Sequence, residues 1–116
     1  MKIKEIYSPN FNKSKRTKKL IKFIIIHYTG MQSERESLKR LRDARSQVSS
    51  HYLINKKGKV YRLIKDKDIA WHAGKSYWKK YKNLNKNSIG IELVNKGHKF
   101  GYENFSNEQI LSLLKL

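Results

Sequence analysis

The chain has 116 residues, 38% of them hydrophobic, no cysteine, and a formal net charge of +18 from 27 lysines and arginines against 9 acidic residues. That length allows one domain with a modest core, and the lack of cysteine removes disulfides, thiolate metal ligands and a cysteine nucleophile together. No apolar run is long enough to span a membrane, and the lysines are scattered instead of gathered on one aromatic-studded stripe, so no specific nucleic-acid partner is expected despite the charge.

Residues 1–20, "MKIKEIYSPNFNKSKRTKKL", carry lysines with no apolar stretch behind them. They are expected to be a basic lead-in to the first strand, with no signal peptide and therefore a cytoplasmic location. "LIKFIIIHY" is short, continuous and rich in isoleucine, which predicts a central strand. It runs directly into His27. An imidazole at the end of a buried strand is held in one place, as a metal ligand must be. One histidine is still not a site, because catalytic zinc generally takes three protein ligands and keeps a position for water.

"SERESLKRLRDAR" predicts a helix capped by Ser33, with Glu36 closing an S-x-x-E box and Leu38 and Leu41 on one face. "SHYLINKKGKVYRLI" contains two strand-like runs around Lys56, Lys57 and Gly58, a hairpin signal. "DKDIAWHAGKSYWKKYKNLNKN" follows as a long polar and aromatic loop of a length that is usually functional or disordered. Within it, Trp71 and His72 with Tyr77 and Trp78 can form an aromatic wall for a sugar or peptide, or Trp71 can plug the core under the loop. "SIGIELVN" predicts another strand, its glycine letting a neighbour approach closely. Glu92 in that strand has two readings: a carboxylate on the exposed face of an edge strand, or a buried one with a raised pKa suited to general acid–base work. Apolar residues on both sides favour the second. His98, set among Lys96, Gly97 and Lys99, is expected at the surface.

In "FSNEQILSLLKL", Ser106 can cap and Gln109 can close the box of a last helix carrying Ile110, Leu111, Leu113 and Leu114. That helix stops on its apolar face at Leu116 with no capping residue, which leads to the expectation of a fold lacking a C-terminal portion. Strand, helix, hairpin, loop, strand and helix in this order predict an α/β domain with a mixed central β-sheet flanked by helices.

Five segments, "IIIHYTG", "VSSHYLINKKGKVYRLI", "AWHAGKSYW", "NLNKNSIGIELVN" and "YENFSNEQI", together resemble the zinc-dependent N-acetylmuramoyl-L-alanine amidases, the family related to peptidoglycan-recognition proteins. The resemblance implies a peptidoglycan-recognition-protein-like fold, with residues 21–116 as the N-terminal two-thirds of an amidase domain. It implies His27 as the first zinc (Zn2+) ligand and Glu92 as the catalytic glutamate. His51, Trp71, His72 and Asn95 are implied to shape a substrate cleft without ligating metal. The implied reaction is hydrolysis of the amide between the lactyl group of N-acetylmuramic acid and L-alanine, in peptidoglycan or muropeptides. The family's second zinc histidine, its basic oxyanion residue and its third ligand, an Asp or Cys, belong to a segment after the helix that begins near Ser106. The expectation is a truncated form, with the other ligands on a companion C-terminal segment. The alternative is a module that binds muropeptide without cutting it.

Overall fold

The computed structural model describes residues 1–74, 81–97, 101 and 103–116 in full and residues 77–78 as backbone. Its centre is a mixed five-stranded sheet. The strands are β1 (Ile3–Glu5), β3 (Phe23–Tyr28), β4 (Tyr52–Ile54), β5 (Val60–Arg62) and β9 (Ser88–Leu93), in spatial order β1-β5-β4-β9-β3. β9 lies parallel to both β3 and β4, while β4 and β5 form the antiparallel hairpin expected from sequence. Two small sheets, β2 (Phe11–Asn12) with β6 (Ile69–Ala70) and β7 (Tyr77–Trp78) with β8 (Tyr81–Lys82), break up the stretch expected to be one long loop.

The hairpin turn is made by Asn55, whose side-chain Oδ1 accepts from the backbone N–H groups of Lys57 and Lys59. Gly58 supplies the left-handed φ of 84° that this turn needs. Helix α1 (Glu34–Arg42) starts where Ser33 accepts the Glu36 N–H. Helix α2 (Asn107–Lys115) starts with the full reciprocal box between Ser106 and Gln109. Gln109 does more than cap: buried, it donates through Nε2 to the carbonyls of Ile54 and Val94, fastening α2 to the sheet.

Each face of the sheet has its own apolar cluster. Under α1 pack Leu41, Leu53, Tyr61, Leu63, Ile64, Ala70 and Val94, and under α2 pack Tyr52, Ile54, Val60, Ile91 and Leu93. The isoleucine run of β3 departs from the sequence reading. β3 is an edge strand among the described residues, and its burial alternates: Phe23, Ile25 and His27 are half-buried while Ile24 is 66% and Ile26 50% exposed. A continuous apolar run shows strand-forming side chains, but not whether both faces are covered. In α2 the same limit applies: Leu113 packs on the sheet, whereas Ile110, Leu111 and Leu114 are exposed.

Residues 1–20 are woven into this core. β1 pairs with β5 and β2 with β6, and Arg16, in the middle of the basic run, is buried. Its guanidinium donates to the carbonyls of Asp66, Asn85, Lys86 and Ser88. A cation gains entry to a core in this way because each N–H finds an acceptor that the loops cannot satisfy themselves. Among the described residues, no helix is long and apolar enough to cross a membrane.

Candidate functional site

The site is set by strand register. His27, Glu92 and Leu53 are neighbours in one row across β3, β9 and β4, so their side chains leave the sheet on the same face, the one under α1. On this face β9 presents Ser88, Gly90 and Glu92 in alternation. Gly90 is the gap in that row. A Cβ built there would come within 2.6 Å of the His72 ring, so the glycine creates the space in which His72 lies over β9. The close neighbour expected from the sequence is this imidazole.

His72 Nδ1 stands 3.1 Å from His27 Nε2, and His72 Nε2 stands 3.0 Å from the Ser88 hydroxyl. The loop that delivers it is fixed by Asn85, whose Oδ1 accepts from the N–H groups of His72 and Ala73. Burial holds the His72 imidazole down at about 3, with the neighbouring His27, His51 and Arg16 acting in the same direction, so His72 is neutral in the folded chain. His27 is lowered too, by burial.

Glu92 is half-buried, and one of its carboxylate oxygens is enclosed, which favours the second of the two readings its pattern left open. Its Oε2 is enclosed and has no hydrogen-bond partner among the described residues. Burial raises its pKa to about 7, while the Arg40 cation pulls in the opposite direction. A carboxyl poised near neutrality can both take and return a proton. It lines a cavity of about 230 Å³ with Thr29, Met31, Ser37, Arg40, Leu41, Val48, Ser49, Trp71 and His72. A larger hollow of about 510 Å³ along α1 shares Met31 and Arg40 with this one, but its other walls are Glu36, Lys39, Asp43, Arg45 and Ser46. It has neither a histidine nor Glu92, so the smaller cavity is the place for chemistry.

Two residues expected in the cleft wall are elsewhere. His51 is 0% exposed. Its Nδ1 accepts the Gly90 N–H at 3.1 Å, which leaves the proton on Nε2 to be donated to the Asp68 carbonyl at 2.8 Å. Arg16 Nη2 also lies 3.1 Å from that Nε2, but both atoms carry protons, so its hydrogen bond is the 2.7 Å one to the Ser88 carbonyl. Burial pushes His51 down to about 4. His51 therefore locks β9 to the loop behind it and lines neither of the two cavities described above. Asn95 is likewise buried: its Oδ1 accepts from Gly97 N–H, its Nδ2 donates to Glu103 O, and its backbone carbonyl holds Thr29 and Gly30 at the end of β3. It shapes the turn that follows His27 instead of lining the cleft. Trp71 is half-buried in the cavity wall, its indole N–H donating to Asn12. The side chains of Tyr77 and Trp78, and all of His98, lie outside the described residues.

Sequence reasoning missed Arg16, Ser88, Asn85 and Arg40. The first three act through backbone partners distant in sequence, and Arg40 is one of several cations along α1; only the fold distinguishes them. The residues present fit one corner of a metal centre. Among the described residues His27 Nδ1 has no hydrogen bond, and the imidazole sits in an environment that favours its neutral form with an acid beside it, the donor chemistry zinc accepts. Among the described residues, no three His, Asp or Glu side chains are grouped to hold a metal by themselves.

The profile of the N-acetylmuramoyl-L-alanine amidase family matches residues 16–116. The chain is 44% identical over 84 residues to the N-acetylmuramoyl-L-alanine amidase AmiD of Escherichia coli (strain K12), a match covering 66% of this chain and 29% of that protein. It is 27% identical over 130 residues to the 1,6-anhydro-N-acetylmuramyl-L-alanine amidase AmpD of Haemophilus influenzae, covering 97% of this chain and 68% of that one. Among solved structures, it superposes with a TM-score of 0.74 and 38% identity on AmiD from E. coli in complex with the substrate anhydro-N-acetylmuramic acid-L-Ala-D-gamma-Glu-L-Lys. That likeness covers 83% of this chain and 41% of the other. The chain thus spans less than a third of the length of AmiD and about two thirds of AmpD.

Proposed function

This chain belongs to the N-acetylmuramoyl-L-alanine amidase family, and on that footing we propose that it carries the base of a muropeptide amidase. The reaction is hydrolysis of the amide between the lactyl carbonyl of N-acetylmuramic acid and the nitrogen of L-alanine. The observation that carries this reading is the enclosed, partnerless Oε2 of Glu92 beside His27 in one sheet row.

Glu92 in its ionised form accepts a proton from the attacking water. The water oxygen bonds to the lactyl carbonyl carbon, and the proton passes from Glu92 to the departing alanine nitrogen as the C–N bond breaks. A group near neutral pKa serves both halves of that transfer. Trp71 and Met31 exclude water along the cavity wall, and Arg40 places a positive charge at its rim, suited to an anionic stem peptide. His27 would hold a zinc ion, with the remaining ligands supplied from outside the described residues. When bound, zinc makes water more acidic and polarises a carbonyl.

The test is hydrolysis of anhydromuramyl tripeptide, followed as new amino-terminal alanine, by the chain together with a C-terminal segment of a longer family member. Glu92→Gln is expected to lower kcat about 10²–10⁴-fold while calorimetric binding of the peptide persists. Equal rates for wild type and E92Q would overturn the assignment of the base. Saturable binding with no product from any pairing would replace the enzyme by a binding module.

A further inference from the structure

We propose that His72 is a positioning residue for His27: it accepts the Nε2–H of His27 on its own Nδ1 and so leaves the His27 Nδ1 lone pair open as a donor. The inference rests on the reading of His27 as a ligand-bearing residue. The geometry is specific. The two nitrogens are 3.1 Å apart, and the ring planes meet at 74° with centroids 5.3 Å apart, an edge-on approach that suits a hydrogen bond and not a stack.

The His72 side chain is held at three points. Ser88 meets its far nitrogen, Gly90 makes room beneath the ring, and Asn85 fixes its backbone. A serine hydroxyl can donate or accept, so Ser88 takes either direction. The direction is set from the other end. A neutral imidazole has one proton, and only when it sits on Nε2 does His27 Nδ1 offer a lone pair. His72 Nδ1 then accepts, and His72 Nε2–H donates to Ser88 Oγ. Histidines that ligate metals usually pass their other N–H to a fixed acceptor in this manner. Here the acceptor is another imidazole, so Asn85 and Ser88, which place His72, control the donor on the edge strand.

The experiment is nuclear magnetic resonance on the full 15N-labelled chain without metal. The expected result is a His27 Nε2–H proton protected from exchange with water and a scalar coupling across the hydrogen bond to His72 Nδ1. His72→Phe is expected to speed exchange of that proton about fivefold to tenfold. His72→Asn places an acceptor oxygen at the Nδ1 position and restores protection. His72→Gln, whose polar atoms mimic the far nitrogen, does not. A purely structural role for His72 would give no such split between Asn and Gln. A proton found on His27 Nδ1, or equal behaviour of H72N and H72Q, overturns the proposal. Loss of hydrolysis with the coupling intact would count against the amidase reading and leave this inference standing.

Discussion

At one end of the histidine row, Arg16 donates to four backbone carbonyls and His51 has a partner on each ring nitrogen. At the other, among the described residues, Glu92 Oε2 is enclosed with no partner and His27 has a ring nitrogen with no hydrogen bond. Both ends are built from titratable groups, and both bury them. They differ in whether the polar atoms are used up by the fold. Saturated polar atoms fasten segments together; leftover ones are held ready for something that is not the chain. By this criterion His51 and Asn95 are braces, whereas His27 and Glu92 keep the unused atoms on which the proposed function rests, although all four stand close to the same strand ends.

The comparison breaks most severely if Arg16 is removed. Arg16→Met fills the volume but removes the donor to four carbonyls, of which that of Ser88 is buried, so a loss of about 1.5–3 kcal/mol is expected in urea unfolding. Arg16→Lys should recover little, since one ammonium cannot reproduce the guanidinium fork. A loss below about 1 kcal/mol for R16M would mean that water replaces the guanidinium and that this end is not saturated by design.

The second test acts on the unsaturated end through pH. Glu92 binds its proton more tightly when folded, at about 7 against 4.5. Its contribution to stability is therefore present below pH 4.5 and is lost as pH rises through 7. Glu92→Gln removes that loss, so E92Q should be more stable than wild type by about 1–3 kcal/mol near pH 9, and equal to it below pH 4.5. The saturated end responds with the opposite sign. His51 is depressed to about 4 from 6.5, so its contribution is present above pH 6.5 and declines as pH falls towards 4. E92Q leaves this acid limb unchanged. Thermal melts across pH separate the two limbs, and an E92Q curve parallel to wild type at all pH would show that Glu92 is solvated.

Local chemistry was legible in the chain. The Ser33 cap, the turn at Lys56, Lys57 and Gly58 and the Ser106–Gln109 box are each settled within a few residues and appear as read, while the return bond expected from Glu36 to Ser33 is not formed among the described residues. What could not be read is who sits opposite whom. Ile24 and Ile26 look as buried as Ile91 in sequence, yet only the β9 residue has sheet on both sides. Arg16 looks like one more solvated lysine-run residue until the short helical turn Leu84–Asn87 and the start of β9 surround it with carbonyls. Glu92 was balanced between exposure and burial because that depends on β3 and β4 both flanking β9. The histidines divide the same way: the family resemblance implied a shared cleft, and only hydrogen-bond partners 16 to 45 positions away separate His51 from His72.

Trp71 stands between the two ends and gives the smallest test. Its backbone belongs to the saturated side, exchanging hydrogen bonds with Ser49, while its ring lines the cavity of Glu92. The indole N–H is tied to Asn12 at an exposed position. Asn12→Ala removes one exposed hydrogen bond, so stability should fall by only about 0.5–1 kcal/mol. If the ring is a wall of the working site, muropeptide binding should weaken about twofold to fivefold with kcat unchanged, since an unanchored indole must be ordered by the ligand. Calorimetry beside a thermal melt reads both quantities. Unchanged binding with the full stability loss would assign Trp71 wholly to the saturated side, as a plug beneath the loop, and would move the boundary between the two ends one residue closer to His72.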